Sequence, residues 1–114
     1  MHQVKESDWK LFRQRLPEWQ ERYMDALLRE YAALLTGSEK ASNRFWSLEK
    51  RIHEDRQRVG IVARMSRSSM YINLLALLRD GAITLNDLDG FSDDLRNQLG
   101  SATSDLNHAT MQKV

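Results

Sequence analysis

The side chains in this chain that could do chemistry are few and scattered. Its three histidines, His2, His53 and His108, lie far apart, and there is no cysteine. The missing cysteines remove disulfides, thiolate zinc sites and cysteine nucleophiles together. Glu49 and His53 are four residues apart, so a helix would set both on one face, as a shared cation requires. Lys50, Arg51 and Arg56 surround that pair and no HExxH is present, so a surface hydrogen bond is the plainer reading. Ser-x-x-Lys occurs at Ser7–Lys10 and again at Ser47–Lys50, each time without the companion motifs of a nucleophile and its base. GxSxG, a glycine-rich phosphate loop and an EF-hand loop are absent. Asp87, Asp89, Asp93 and Asp94 read as negative charge at helix N-termini, where the dipole favours it, and not as paired catalytic carboxylates. We expect no catalytic residue, no metal, no cofactor and no small-molecule substrate.

Two patterns fit binding better than catalysis. The first is basic. Net charge over the chain is only +1. Residues 38–67, however, carry eight basic groups against the four acids Glu39, Glu49, Glu54 and Asp55. Residues 80–99 carry five aspartates against Arg96 alone, so charge is polarised along the sequence. Lys50, Arg51, Arg56, Arg58, Arg64 and Arg67 could line one side and meet phosphates, with Trp46 or Tyr71 available to stack on bases. A solvated helix face with internal ion pairs is the competing reading. A helix-turn-helix fits poorly, because the helix in the recognition position, Met70 to Leu78, is too apolar to read a groove.

The second pattern is apolar. Large residues recur at Trp9, Phe12, Leu16, Trp19, Tyr23, Leu27, Tyr31 and Leu34, in steps of three and four. That spacing is helical and excludes a strand. The stripe is core first. A helix of about 28 residues would nevertheless run roughly 42 Å, longer than the helices that follow it. The surplus is expected to stay uncovered unless a partner packs on it. Trp9, Phe12, Leu16, Trp19 and Tyr23 are the residues assigned to such a protein interaction.

These residues need elements to hold them. Ser7 is a plausible cap for the first helix, and Asp8 suits its dipole. Pro17 interrupts the stripe without shifting its phase, so a kinked or closely broken helix is expected. Gly37 is expected to close it in a left-handed conformation. Ser38 or Ser42 begins a second helix reaching about Val59, with Phe45, Leu48, Ile52 and Val59 as its buried stripe. Its charged faces carry Lys50–Glu54 and Arg51–Asp55 at i,i+4. Gly60 ends it, and Ile61-Val62-Ala63 links onward in extended form. Ser66 or Ser68 caps a third helix over 70–78, apolar nearly all round and so central. Asp80-Gly81 closes it. Thr84 and Asp87 then form a near capping box, with Ile83 and Leu88 as its hydrophobic staple. Gly90 interrupts that helix and Ser92 restarts it towards Leu99. Gly100 ends the pattern, leaving 101–114 as a flexible or weakly helical tail.

The predicted fold is therefore all-α: a small bundle in which a long, Pro-interrupted N-terminal helix packs on two or three shorter ones, with residues 1–100 as a single domain. At 114 residues, 41% hydrophobic, with one proline and five glycines, the chain has material for one core and little turn punctuation for β structure. The N-terminus shows no secretion signal, and the densest apolar run, Met70 to Leu78, falls well short of the roughly 20 residues a spanning helix needs. A soluble, cytoplasmic protein without membrane contact is expected.

Phe45-Trp46-Ser47-Leu48-Glu49-Lys50-Arg51-Ile52, Arg67 to Ile72 and Asp80 to Ser92 resemble a family of small uncharacterised helical proteins of gut anaerobic bacteria, over about residues 5–99. Some of that family have been labelled multidrug transporters, a label the hydropathy of this chain opposes. The resemblance implies no activity and no site residues. Leu74 to Asp87 is also similar to the short helix–turn–helix hairpins at the ends of many bacterial proteins. The function expected is a non-enzymatic, regulatory protein-interaction module, binding a protein partner or itself through the long helix. The alternatives are a nucleic-acid-associated protein using residues 50–67, or a small inhibitor of a host or defence enzyme.

Overall fold

A computed structural model describes residues 4–112, with side chains through residue 104. Five α-helices occur among them: α1 (Glu6–Leu35), α2 (Ala41–Asp55), α3 (Val59–Val62), α4 (Met70–Arg79) and α5 (Asp93–Gln112). A 3-10 turn at Leu85–Leu88 separates the last two, and no strand occurs among the described residues.

Helix α1 is one continuous element through Pro17. It starts at Glu6, with Lys5 rather than Ser7 in the cap position and no side-chain cap; Glu6 and Asp8 complement the dipole of its first turn. Its C-terminus also departs from expectation. Gly37 is not left-handed. The closing contacts come from Thr36, whose Oγ1 donates to the carbonyls of Ala32 and Ala33 at 3.1 and 3.2 Å. Arg44 secures the connection to α2, donating to the carbonyl oxygens of Leu35 at 2.6 Å and Glu39 at 2.9 Å.

The molecule divides into a body and an arm. In the body, the first half of α1 crosses α4 and α5, and twelve buried side chains form the core. Phe12, Leu16 and Trp19 supply the α1 share; Met70, Leu74 and Leu77 come from α4, and Leu95 and Leu99 from α5. Trp19 stacks on Phe91 at 6.3 Å between ring centroids and meets Phe12 edge-on at 6.5 Å. Such pairs add about 0.5–1.5 kcal/mol beyond their burial. Helix α4 is less central than its composition implies, because Ile72 is 68% exposed.

The connection from α4 to α5 behaves largely as its turn residues dictate. Gly81, at φ 78°, closes α4: its N–H donates to Leu78 O, and Ala82 N–H to Leu77 O. That is the Schellman pattern, which needs a left-handed residue and so favours glycine. Thr84 N–H donates to Asp87 Oδ2 at 2.8 Å, and the staple pair Ile83 and Leu88 is buried. Helix α5 does not stop at Gly100. It continues to Gln112, with Thr103 Oγ1 donating back to Leu99 O at 3.0 Å. Lys113 and Val114, the end of the expected tail, lie outside the described residues, as does His2; of the His108 side chain nothing is described.

Polar contacts fasten α1 to the body. Asp8 is only 3% exposed. Its carboxylate accepts from Ser92 N–H at 2.7 Å and Ser92 Oγ at 2.6 Å, at the start of α5. An unpaired carboxylate would be costly there; two donors and the positive end of α5 satisfy it. Arg15 donates to the carbonyls of Asp87 and Asp89. Arg22 forms a two-pronged pair with the Asp87 carboxylate at 2.9 and 3.0 Å, which holds Asp87 below the ordinary carboxylate value.

The arm is the second half of α1 paired with α2. Beyond Trp19, α1 buries only Leu27, and α2 buries only Asp55. The Cα radius of gyration is 17.0 Å and the principal extents are 52 × 37 × 21 Å. A compact chain of this length would have a radius near about 13 Å, so the molecule is elongated. Helix α2 ends at Asp55, earlier than expected, and Val59–Val62 is a helical turn rather than an extended link.

Candidate interaction surface

Gly60 explains why the chain turns where it does at the root of the arm. It is buried within α3, where a Cβ would fall 2.6 Å from the Tyr23 ring. No other residue lets α1 and α3 approach so closely without displacing that ring. Tyr23 Oη in turn donates to Asp80 Oδ2 at 3.1 Å. Arg58 reaches the same carboxylate at 2.9 Å, lies over the Tyr23 ring at 5.6 Å and approaches Asp55 at 3.7 Å. Tyr31 Oη donates to Asp55 Oδ2 at 2.6 Å, and Arg51 joins Glu30 at 3.1 Å to Asp55 at 3.5 Å. Burial, and then the carboxylate each phenol donates to, raise both Tyr23 and Tyr31 to about 12. The network ties α1, α2, α3 and the end of α4 together with charge-assisted contacts.

The basic residues are consequently divided. Arg51 and Arg58 belong to this network, and Arg67 pairs with Glu6 on the first turn of α1. Lys50, Arg56 and Arg64 are exposed and make no side-chain ion pair or hydrogen bond among the described residues. Half of the expected phosphate-binding set is thus already committed to carboxylates of its own chain. Of the two i,i+4 pairs expected on α2, Arg51–Asp55 forms and Lys50–Glu54 does not. Glu49 and His53 are exposed on the arm.

The apolar residues are divided too, with a consequence for the stripe on α1. Phe12, Leu16 and Trp19 lie in the core at 0%, 2% and 5% exposure, and Trp9 and Tyr23 are half-buried against it. These five are packing residues of the body, three of them buried and two half-buried. The expected surplus of the stripe exists, but at its other end. Leu28 is 62% exposed, and Met24 and Leu35 lie open beside it. On α2 the stripe expected to be buried is open as well: Phe45 is 62% exposed and Ile52 44%, with only Leu48 half-buried. Val59 falls in α3 and packs on the body core.

Each helix of the arm keeps its open residues on one face. Met24, Leu28, Tyr31 and Leu35 follow i, i+4, i+7, i+11 on α1, and Phe45 and Ile52 stand seven apart on α2; both spacings keep one helix face. Between the two rows runs a groove of about 300 Å³, lined by Met24, Leu27, Leu28, Tyr31, Ile52, Arg56 and Ile61. Towards the start of α2, Trp46, 64% exposed, meets Phe45 edge-on at 4.9 Å. An amphipathic helix laid in such a groove would bury apolar side chains without breaking any hydrogen bond of the arm. Periodicity alone could not tell which end of the α1 stripe stays open, because its rows read alike along their whole length.

Among the described residues, no helix is long and apolar enough to cross a membrane, and no group of three or more acidic, histidine or cysteine side chains is placed to hold a metal. No family model, curated protein or solved structure matches the chain.

Proposed function

We propose that this protein is a non-enzymatic interaction module whose docking surface is the open face of the α1–α2 arm. One observation carries the reading: Leu28 and Ile52 stand exposed along an apolar groove, with Phe45 open on the same helix as Ile52, on an arm whose root is locked by a dense polar network. Isolated exposed apolar residues are ordinary, but two aligned rows rimmed by charge mark an interaction site. The locked root matters equally, since a surface held in place before binding loses less entropy on docking.

The reading is tested by photo-crosslinking in living cells, with a benzophenone amino acid replacing Leu28 or Phe45. Lys10 and Gln14, exposed on the body, serve as control positions. Protein adducts are expected from the arm positions and not from the controls. Equal yields from arm and body would refute the reading.

A further inference from the structure

We infer that the occupant of the arm face is a second copy of this chain, related by a twofold axis, with α2 antiparallel to α2 and with Ile52 and Leu28 nearest the axis. The inference rests on the arm being a docking surface.

The charge pattern along α2 singles out this occupant. Phe45, Glu49, Ile52 and Arg56 follow at intervals of four, three and four, so they form one row, and all four are exposed. Glu49 and Arg56 flank Ile52 with opposite charges. Neither side chain has an ion pair or a hydrogen bond among the described residues, whereas Arg51 and Arg58 on the inner side of the arm are paired. When two such rows meet antiparallel about Ile52, Glu49 of each copy faces Arg56 of the other. Both charges are answered twice by one symmetry operation. A twofold interface has to be self-complementary in this way, while an unrelated partner places no such demand on the row.

Exposure points the same way. Met24, Leu28, Leu35, Phe45 and Ile52 are each between 37% and 62% exposed. Face to face about Ile52, two copies would cover the apolar residues nearest the axis, Met24, Leu28 and Ile52 of each, with the Glu49–Arg56 pairs closing the rim. The partner's arm supplies apolar neighbours that each arm lacks alone.

Sedimentation velocity on the full chain over a wide concentration range decides the matter. The wild type is expected to dimerise. Glu49→Arg and Arg56→Glu, both at exposed positions and checked for folding by circular dichroism, are each expected to weaken the dimer about tenfold or more by setting like charges opposite. The double variant E49R/R56E restores both pairs in reversed polarity and is expected to return to within about threefold of wild type. A wild-type chain monomeric at its highest soluble concentration would overturn the inference, as would a double variant no tighter than the singles. Arm crosslinks to a different protein, with a monomeric chain, would refute self-association and leave the docking reading standing. Crosslinks no stronger from the arm than from the body would end both.

Discussion

The two halves of α1 carry the same kind of residue at the same spacing and have opposite fates. From Phe12 to Trp19 the stripe is sealed against α4 and α5, while at Leu28 and Leu35 it lies open. The difference is in the opposing helices. Helix α4 and the start of α5 bring Met70, Leu74, Leu77, Leu95 and Leu99, a wide apolar surface. Helix α2 has a narrow one, and spends Phe45 and Ile52 on its outward side. What α2 offers α1 instead is polar: Arg51 to Glu30 and Tyr31 to Asp55. The body is held by burial and the arm by directed contacts, so the arm can keep an apolar face free without collapsing onto it.

The widest gap between the halves should appear on truncating an aromatic in each. Phe12→Ala removes a fully buried ring and is expected to destabilise by about 3–5 kcal/mol. Phe45→Ala, in urea unfolding at low protein concentration, should cost well under about 1 kcal/mol, because the ring is already largely in water. Equal costs would mean that the arm is part of the core and would break the contrast.

Gly60 tests the joint between them. Gly60→Ala drives a methyl group into the Tyr23 ring. The expected cost is about 1–3 kcal/mol, typical of overpacking. It should shrink in a Tyr23→Ala background, where the ring is gone, and that non-additivity separates a steric cause from a general loss of helix. A cost unchanged by removing Tyr23 would place the strain elsewhere.

Much of the body was legible in the sequence because its signals are local. The period of α1 carried through Pro17, Thr84 and Asp87 announced the turn, and Ser92 marked the start of α5. The contacts that shape the two halves of α1 are long-range. Nothing near Asp8 indicates that its carboxylate will meet Ser92, and nothing near Gly60 indicates a tyrosine ring from α1. Periodicity reports which side of a helix is apolar but not which neighbour arrives, so it read the α1 stripe as core first, placed the uncovered surplus at Trp9 to Tyr23, and took Phe45 and Ile52 for core. A useful clue was the thinness of the α2 stripe, which is too narrow to cover the end of a 30-residue helix.

The smallest expected effect is also the one that probes arm and root together. Tyr23 spans the root and Tyr31 lies within the arm; both phenols are raised to about 12. The folded state therefore keeps two protons that the unfolded chain releases near its ordinary tyrosine value of about 10. Their contribution to stability is complete below that unfolded value and is lost as the pH rises through about 12. Unfolding free energy should decline over this window, and phenolate absorbance should show Tyr23 and Tyr31 ionising late. Tyr31→Phe removes one of the two late protons, so the slope against pH should fall by about half if arm and body unfold as one unit. If the arm instead melts first, Tyr31 would ionise with the arm's own transition while Tyr23 stays protonated. Absorbance at the two wavelengths of phenol and phenolate, followed beside helicity, would then split into two steps, and the polar network would prove too weak to hold the arm face ready for a partner.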